Sequence, residues 1–184
     1  ISLEDLKRCT SNKTKIISLP HITNSIGSIL PIEEMCSYAR KKGIITLVDG
    51  CQAAPHIEID LKKMQPDFYV LSGHKVYGPS GIGVLYGKQE WLEKLNPYQT
   101  GGEMIDYVSI HKATFADIPN KFEAGTPNIV GAISLSSAID FINDIGINNI
   151  TEHSRFLTKT LSEKFKELNF IKIIGDPENR LGIV

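Results

Sequence analysis

The chain has 184 residues, 41% of them hydrophobic and 22% charged, the balance of an ordinary globular protein rather than a disordered or fibrous one. Its formal net charge is -1 and its lysines are spread along the sequence, so no basic block is present to draw in nucleic acid or anionic lipid, and neither partner is expected. No apolar run approaches the ~20 residues that span a bilayer, and the first residues lack signal-peptide order, so a soluble chain is expected.

Cys9, Cys36 and Cys51 are odd in number and form no C-x-x-C, which supports neither a disulfide framework nor a thiolate zinc site. A reducing compartment is expected, either cytoplasm or an organelle such as a plastid. The opening without methionine and the stop at Val184 after a strand-like run suggest a piece of a longer protein.

In chain order, Ser2 and Asp5 form a capping-box pattern ahead of a short amphipathic helix with Leu3 and Leu6. Residues 15–20 read as a buried strand. Pro31 opens a helix whose apolar positions Ile32, Met35, Cys36 and Ala39 follow 3.6-residue spacing, with Gly43 where a C-cap belongs. Strands are expected at 44–48 and 68–71 with a short helix at 61–64 between them, the rhythm of a parallel sheet under helical cover. The tight link through Gly78-Pro79-Ser80-Gly81 makes the next strand, 82–86, antiparallel. Two long helices follow, at 130–145 and 150–168, and residues 170–174 resemble a strand of a second sheet. The expected division is 1–145, part of a large α/β domain, and 146–184, the start of a smaller α+β domain.

Asp49 directly follows one apolar strand, and Ser72, Gly73, His74 and Lys75 follow the next, so an acid and a lysine meet at the carboxyl edge where open parallel sheets bind ligands. Pyridoxal-5′-phosphate (PLP) chemistry needs both: a primary amine to form an imine with the cofactor, and a carboxylate to keep the pyridine nitrogen protonated. Lys75 and Asp49 fit those roles. A lysine reacts only as the free amine, a form that apolar surroundings and a neighbouring cationic group favour. Ser72 and His74 offer hydroxyl and imidazole donors, the glycines at 73, 78, 81 and 83 let backbone approach a phosphate, and Gln52 sits near Asp49 for the ring oxygen. Taken singly, an acid at a strand end is often a turn former and a lysine there is usually solvated. His21, His56, His111 and His153 lack metal-ligand spacing and read as structural histidines; no G-x-G-x-x-G follows a strand, and Gly87-Lys88 fails the P-loop spacing.

Val48-Asp49-Gly50-Cys51-Gln52-Ala53 and Ser72-Gly73-His74-Lys75-Val76-Tyr77-Gly78-Pro79-Ser80-Gly81-Ile82-Gly83 resemble the class V aminotransferase-like PLP enzymes, specifically cysteine desulfurases. Gly101-Gly102-Glu103-Met104-Ile105 and Phe122-Glu123-Ala124-Gly125-Thr126-Pro127-Asn128 resemble the Suf-type branch, which includes selenocysteine-lyase-like enzymes. The resemblance covers essentially the whole chain, His21 to Ser28 included. It implies the PLP-dependent transferase type I fold, with a mostly parallel seven-stranded-type sheet flanked by helices. Lys75 then matches the Schiff-base lysine, Asp49 the pyridine-nitrogen partner, Gln52 and Asn24 the groups near the ring hydroxyl, and Ser72 and His74 the phosphate ligands. Thr126 matches a threonine that reaches the opposite subunit's cofactor phosphate in a homodimer, and Arg180 an arginine near the active-site entrance.

The implied activity converts L-cysteine to L-alanine and passes persulfide sulfur to a Suf-type acceptor protein for iron-sulfur cluster assembly. The family's nucleophilic cysteine and carboxylate-gripping arginine fall downstream of Val184, and its ring-stacking histidine and a glycine-threonine phosphate motif fall upstream of Ile1, so these residues alone are expected to be inactive. Cys51 stands where the family usually has a small residue such as alanine, and Gln99-Thr100 departs from the acid and glycine common in Suf-type sequences. The alternatives are a selenocysteine lyase or cysteine-sulfinate desulfinase, or, in a different class, an inactive PLP-fold fragment that only binds. The joint presence of Asp49, Gln52, His74 and Lys75 speaks against the last.

Overall fold

The Ser2 hydroxyl accepts the Asp5 N–H at 3.1 Å while the Asp5 carboxylate accepts the Ser2 N–H at 2.8 Å, and this reciprocal cap starts α1 (Leu3–Cys9). The structure is a computed structural model that describes residues 1–175 and 179–184. After α1 the chain alternates β1 (Ile16–Pro20), α2 (Ile32–Lys41), β2 (Ile45–Asp49), α3 (Leu61–Met64), β3 (Phe68–Ser72) and β4 (Gly83–Gly87). Pro31 is the N-cap of α2, and Gly43, at φ +66°, follows the C-cap Lys42 in the left-handed conformation that ends the helix.

The strands form one sheet in the order β1-β2-β3-β4. The first three are parallel, with Pro20 opposite Asp49 and Asp49 opposite Val70, whereas β4 runs antiparallel to β3 with Gly83 opposite Ser72. The sheet is therefore mixed, as the short link between β3 and β4 predicts.

The core lies between this sheet and α1 and α2. Ile32, Met35, Cys36 and Ala39, the periodic positions of α2, are at most 2% exposed, and they cluster with Ile17, Leu19, Val48 and Tyr69 of the strands. Each large apolar side chain so buried contributes about 1.5–3 kcal/mol. Tertiary packing of this kind, more than helix propensity, holds α2 in place.

Residues 89–128 show little periodicity, and the structure builds four short elements there: α4 (Gln89–Lys94), the antiparallel pair β5 (Ile105–Val108) and β6 (Ala113–Phe115), and a 3-10 turn over Asn120–Phe122. Met104, beside β5, is fully buried. Asn128 accepts the Gly131 N–H at 2.9 Å to cap α5 (Ile129–Ile145), and Gly146, at φ +85°, separates it from α6 (Ile147–Lys166). The second long helix starts a turn earlier than the pattern from residue 150 suggests, because the Asn149 and Ile150 N–H groups already donate to the Gly146 carbonyl.

Residues 170–174, expected as a strand, form none. A strand needs a ladder partner for its backbone groups, and among the described residues the chain beyond α6 makes an isolated bridge of Arg180 with Ser28 and no ladder. Phe170 and Ile174 consequently stay 85% and 61% exposed. Among the described residues no single helix is long and apolar enough to cross a membrane; α5 and α6 pass such a test only as a pair bent by 76°.

Candidate active site

Three successive strands deliver the candidate residues to one edge of the sheet. Asn24 lies in the turn after β1, Asp49 is the last residue of β2, and Ser72 is the last residue of β3. Because Asp49 pairs with Val70, Ser72 stands two residues further along, roughly 7 Å toward the edge at the usual strand rise. Side chains alternate along a strand, so Asp49, Val70 and Ser72 share one face of the sheet, opposite the buried Val48 and Tyr69.

Cys51 ties the two strand ends together. Its backbone N–H donates to the Asp49 carboxylate at 2.9 Å, and its Sγ lies 3.5 Å from the Ser72 hydroxyl oxygen. Burial pushes the Cys51 thiol pKa up, and the adjacent Asp49 carboxylate adds to the shift, so this sulfur is a neutral, weak donor at neutral pH. Gln52 follows, half-buried, in a turn closed by the Ala53 and Ala54 N–H groups donating to the Gly50 carbonyl.

Lys75 ends a single 3-10 turn, Gly73–Lys75, that leaves β3 directly. The turn is held on both sides: the Gly73 N–H donates to Ile82 at 2.8 Å, and the Gly73 carbonyl accepts from Val76 and Gly78. A side chain at residue 73 would meet Ile82 Cγ2 at 2.7 Å and Ile82 O at 2.9 Å, which explains the glycine. Within this turn His74 is exposed and Lys75 half-buried. A carboxylate, an amine, a hydroxyl and an imidazole thus stand at neighbouring strand ends, with the carboxylate exposed and its loop fixed by backbone bonds. That donor set suits a cofactor carrying a carbonyl, a basic ring nitrogen and a phosphate.

Thr126 is exposed in the bend before α5. Arg180 is 5% exposed, donates to the Ile174 carbonyl, and lines a cavity of about 520 Å³ with Arg155, Lys159 and Ser162 of α6; none of the other candidates lines it. Its backbone nevertheless touches the turn that carries Asn24, through the bridge to Ser28.

The residues that sequence reasoning did not place in the site lie beneath Asp49. The Tyr69 ring occupies the space where Gly50 would have a side chain, its hydroxyl is 3.1 Å from His21 Nδ1, and the His21 N–H donates to the Asp49 carbonyl at 2.8 Å. A glycine immediately after the strand-end acid was the available signal. The partnership of residues 21 and 69, 48 positions apart, has no local signature.

Geometry of this kind defines a class, and the chain belongs to the aminotransferase class-V family, whose model matches residues 1–184. Within that family it is similar to proteins named cysteine desulfurase. It is 46% identical over its full length to a "Probable cysteine desulfurase" of Halalkalibacterium halodurans, covering 45% of that protein. The apo cysteine desulfurase of Thermococcus onnurineus NA1 superposes with a TM-score of 0.90 at 35% identity, over 99% of this chain and 46% of that one. The Escherichia coli cysteine desulfurase CsdA, in its S-sulfonic acid form, gives 0.83 at 37% identity over 91% of this chain and 42% of that one. The chain spans under half the length of these relatives.

Proposed function

We propose that this chain carries the PLP-binding centre of a cysteine desulfurase that converts L-cysteine to L-alanine and hands persulfide sulfur to a Suf-type acceptor for iron-sulfur cluster assembly. The observation that carries the reading is the delivery of Asp49, Ser72 and Lys75 to one edge by β2, β3 and the turn after it, with Cys51 bridging the first two. The relatives named cysteine desulfurase support it.

When bound, PLP supplies a protonated pyridine ring that draws off the electron pair released at the substrate α-carbon. The protein's own residues do the rest. Lys75 would hold the cofactor through its amine and would move a proton at the substrate α-carbon. The Asp49 carboxylate would keep the proton on the ring nitrogen. Ser72 and His74 would donate to the phosphate, and Asn24 and Gln52 would serve the ring hydroxyl. Thr126 would serve the phosphate bound by the second copy in a homodimer, and Arg180 the entrance side. Residues 1–145 belong on this reading to the large cofactor domain and 146–184 open the small one.

None of the three cysteines is assigned the sulfur-accepting role. Cys36 is 1% exposed inside α2, Cys9 sits on α1, and Cys51 is spent between Asp49 and Ser72.

The protein, expressed at its full natural length, is expected to show the visible absorbance of lysine-bound PLP and to release alanine and persulfide from L-cysteine. Lys75→Ala abolishes both. A wild type that takes up no PLP, or an absorbance that survives Lys75→Ala, contradicts the reading; PLP uptake with release of selenium from selenocysteine but no sulfur from cysteine favours a selenocysteine lyase.

A further inference from the structure

The Asp49 end of the site rests on a polar pair drawn from two strands. His21 follows β1 and Tyr69 lies in β3; they are 7% and 2% exposed, with Nδ1 and the phenol oxygen 3.1 Å apart and the rings edge to face. Both partners also grip the Asp49–Gly50 backbone. The His21 N–H donates to the Asp49 carbonyl at 2.8 Å, and the Tyr69 ring lies where a side chain on Gly50 would be, 2.1 Å from its Cε1. On the far side the Gly50 N–H donates to Val70 at 2.8 Å. The strand end bearing the carboxylate is therefore held by one hydrogen bond from each neighbouring strand and by one buried ring from below.

We propose that Tyr69 and His21 are positioning residues for the Asp49 carboxylate, their mutual hydrogen bond fixing the ring and backbone on which that carboxylate stands. The inference rests on the PLP reading for the meaning of the carboxylate's position, but the restraint itself is a property of the chain. Its physical basis is the burial of the pair. When both polar atoms are this buried, removing one leaves the other without a partner, which costs more than the bond contributes. The ring or the backbone beneath Asp49 then shifts to recover a partner. Burial also holds the His21 pKa at about 4, so the imidazole stays neutral and keeps one acceptor and one donor nitrogen for the pair near neutral pH.

The test uses the full-length protein and three variants. Tyr69→Phe keeps the ring over Gly50 and removes only the hydroxyl. His21→Leu removes the imidazole, and His21→Asn returns a hydrogen-bonding atom near the place of Nδ1. Amide hydrogen exchange of the segment around 49–51 is read without cofactor, and the PLP dissociation constant is read by absorbance. Tyr69→Phe and His21→Leu are each expected to speed exchange and raise the constant, both roughly tenfold, the scale of a buried bond lost with its partner stranded. His21→Asn recovers most of both.

Exchange and affinity in Tyr69→Phe within twofold of wild type, or equal losses in His21→Asn and His21→Leu, overturn the proposal. If His21→Leu does not fold, Tyr69→Phe decides alone. A wild type that takes up no PLP counts against the cofactor reading, and hydrogen exchange still decides the restraint.

Discussion

A Cβ on Gly50 would lie 2.1 Å from Cε1 of Tyr69, a ring only 2% exposed, so the residue after Asp49 has no room for a side chain. Gly50→Ala forces the ring or the strand end to move, and overpacking a buried site costs about 1–3 kcal/mol, more where backbone must shift. The expected result in urea unfolding is a loss at the upper end of that range. The double variant Gly50→Ala/Tyr69→Leu should lose less than the two single losses added, because the smaller side chain relieves the clash. Strict additivity would mean that the two sites do not touch.

Asp49→Asn keeps the size of the side chain and removes its charge. The Cys51 N–H still finds an oxygen at this position, so fold and PLP uptake should persist. On the proposed reading, alanine release from L-cysteine by the full-length protein should fall by about 100-fold or more, the scale on which a positioned proton-holding group acts. Equal turnover in wild type and variant would remove Asp49 from the mechanism while leaving the cofactor site intact.

Much of this was legible from local pattern. Val48 and Asp49, or Leu71 and Ser72, can be read as the end of a buried strand followed by a polar residue, because burial alternates with a fixed period and the chain turns where the apolar run stops. The antiparallel β4 was legible for the same reason, since its link to β3 is too short for a crossover. What escaped depends on partners far along the chain or on none at all. The pairing of His21 with Tyr69 joins residues 48 apart. Residues 170–174 have a strand's composition but, among the described residues, no strand beside them. The β5–β6 hairpin is exposed along most of its length, with Tyr107 57% and Val108 64% exposed, so no alternation marks it.

The burial that hides His21 sets an acid limb on stability. Desolvation lowers its pKa from the ordinary 6.5 to about 4, so between those values the unfolded chain binds a proton that the folded chain refuses. Stability therefore declines as pH falls through this window, by about 3 kcal/mol once pH reaches 4. Tyr69 of β3, Glu33 and Glu34 of α2, and Glu58, Asp60 and Lys63 around α3 are the titratable groups bonded to His21 or lining its cavity. Burial of His56 lowers its pKa too and adds a decline of the same sign. Urea midpoints measured from pH 7 to 4 should fall more steeply in wild type than in His21→Asn, whose remaining slope carries His56 and the depressed carboxyl of Asp67. Parallel slopes would contradict the buried neutral imidazole.

Asp67 offers the same logic with opposite chemistry, away from the site. Its carboxylate accepts the Thr46 N–H at 2.8 Å and the Thr46 hydroxyl at 3.1 Å on one oxygen, and Lys88 Nζ at 2.7 Å and Trp91 Nε1 at 3.1 Å on the other. It thereby ties β2 to the residue after β4 and to α4. Partial burial favours the neutral acid, but the Lys88 ammonium and the Thr46 N–H outweigh it and hold the carboxyl below the usual carboxylate range. A depressed acid contributes fully above its unfolded pKa and loses that contribution as pH falls through the folded value. Asp67→Asn puts an NH2 against donors on one side whichever way the amide is turned, so at pH 7 it should cost about 2–3 kcal/mol. As pH falls through that lowered pKa the gap between wild type and variant should narrow, since the wild-type carboxyl takes up a proton and its Lys88 pair is lost. A gap that stays constant across the acid limb would assign the loss to packing and not to the charge that joins β2 to α4.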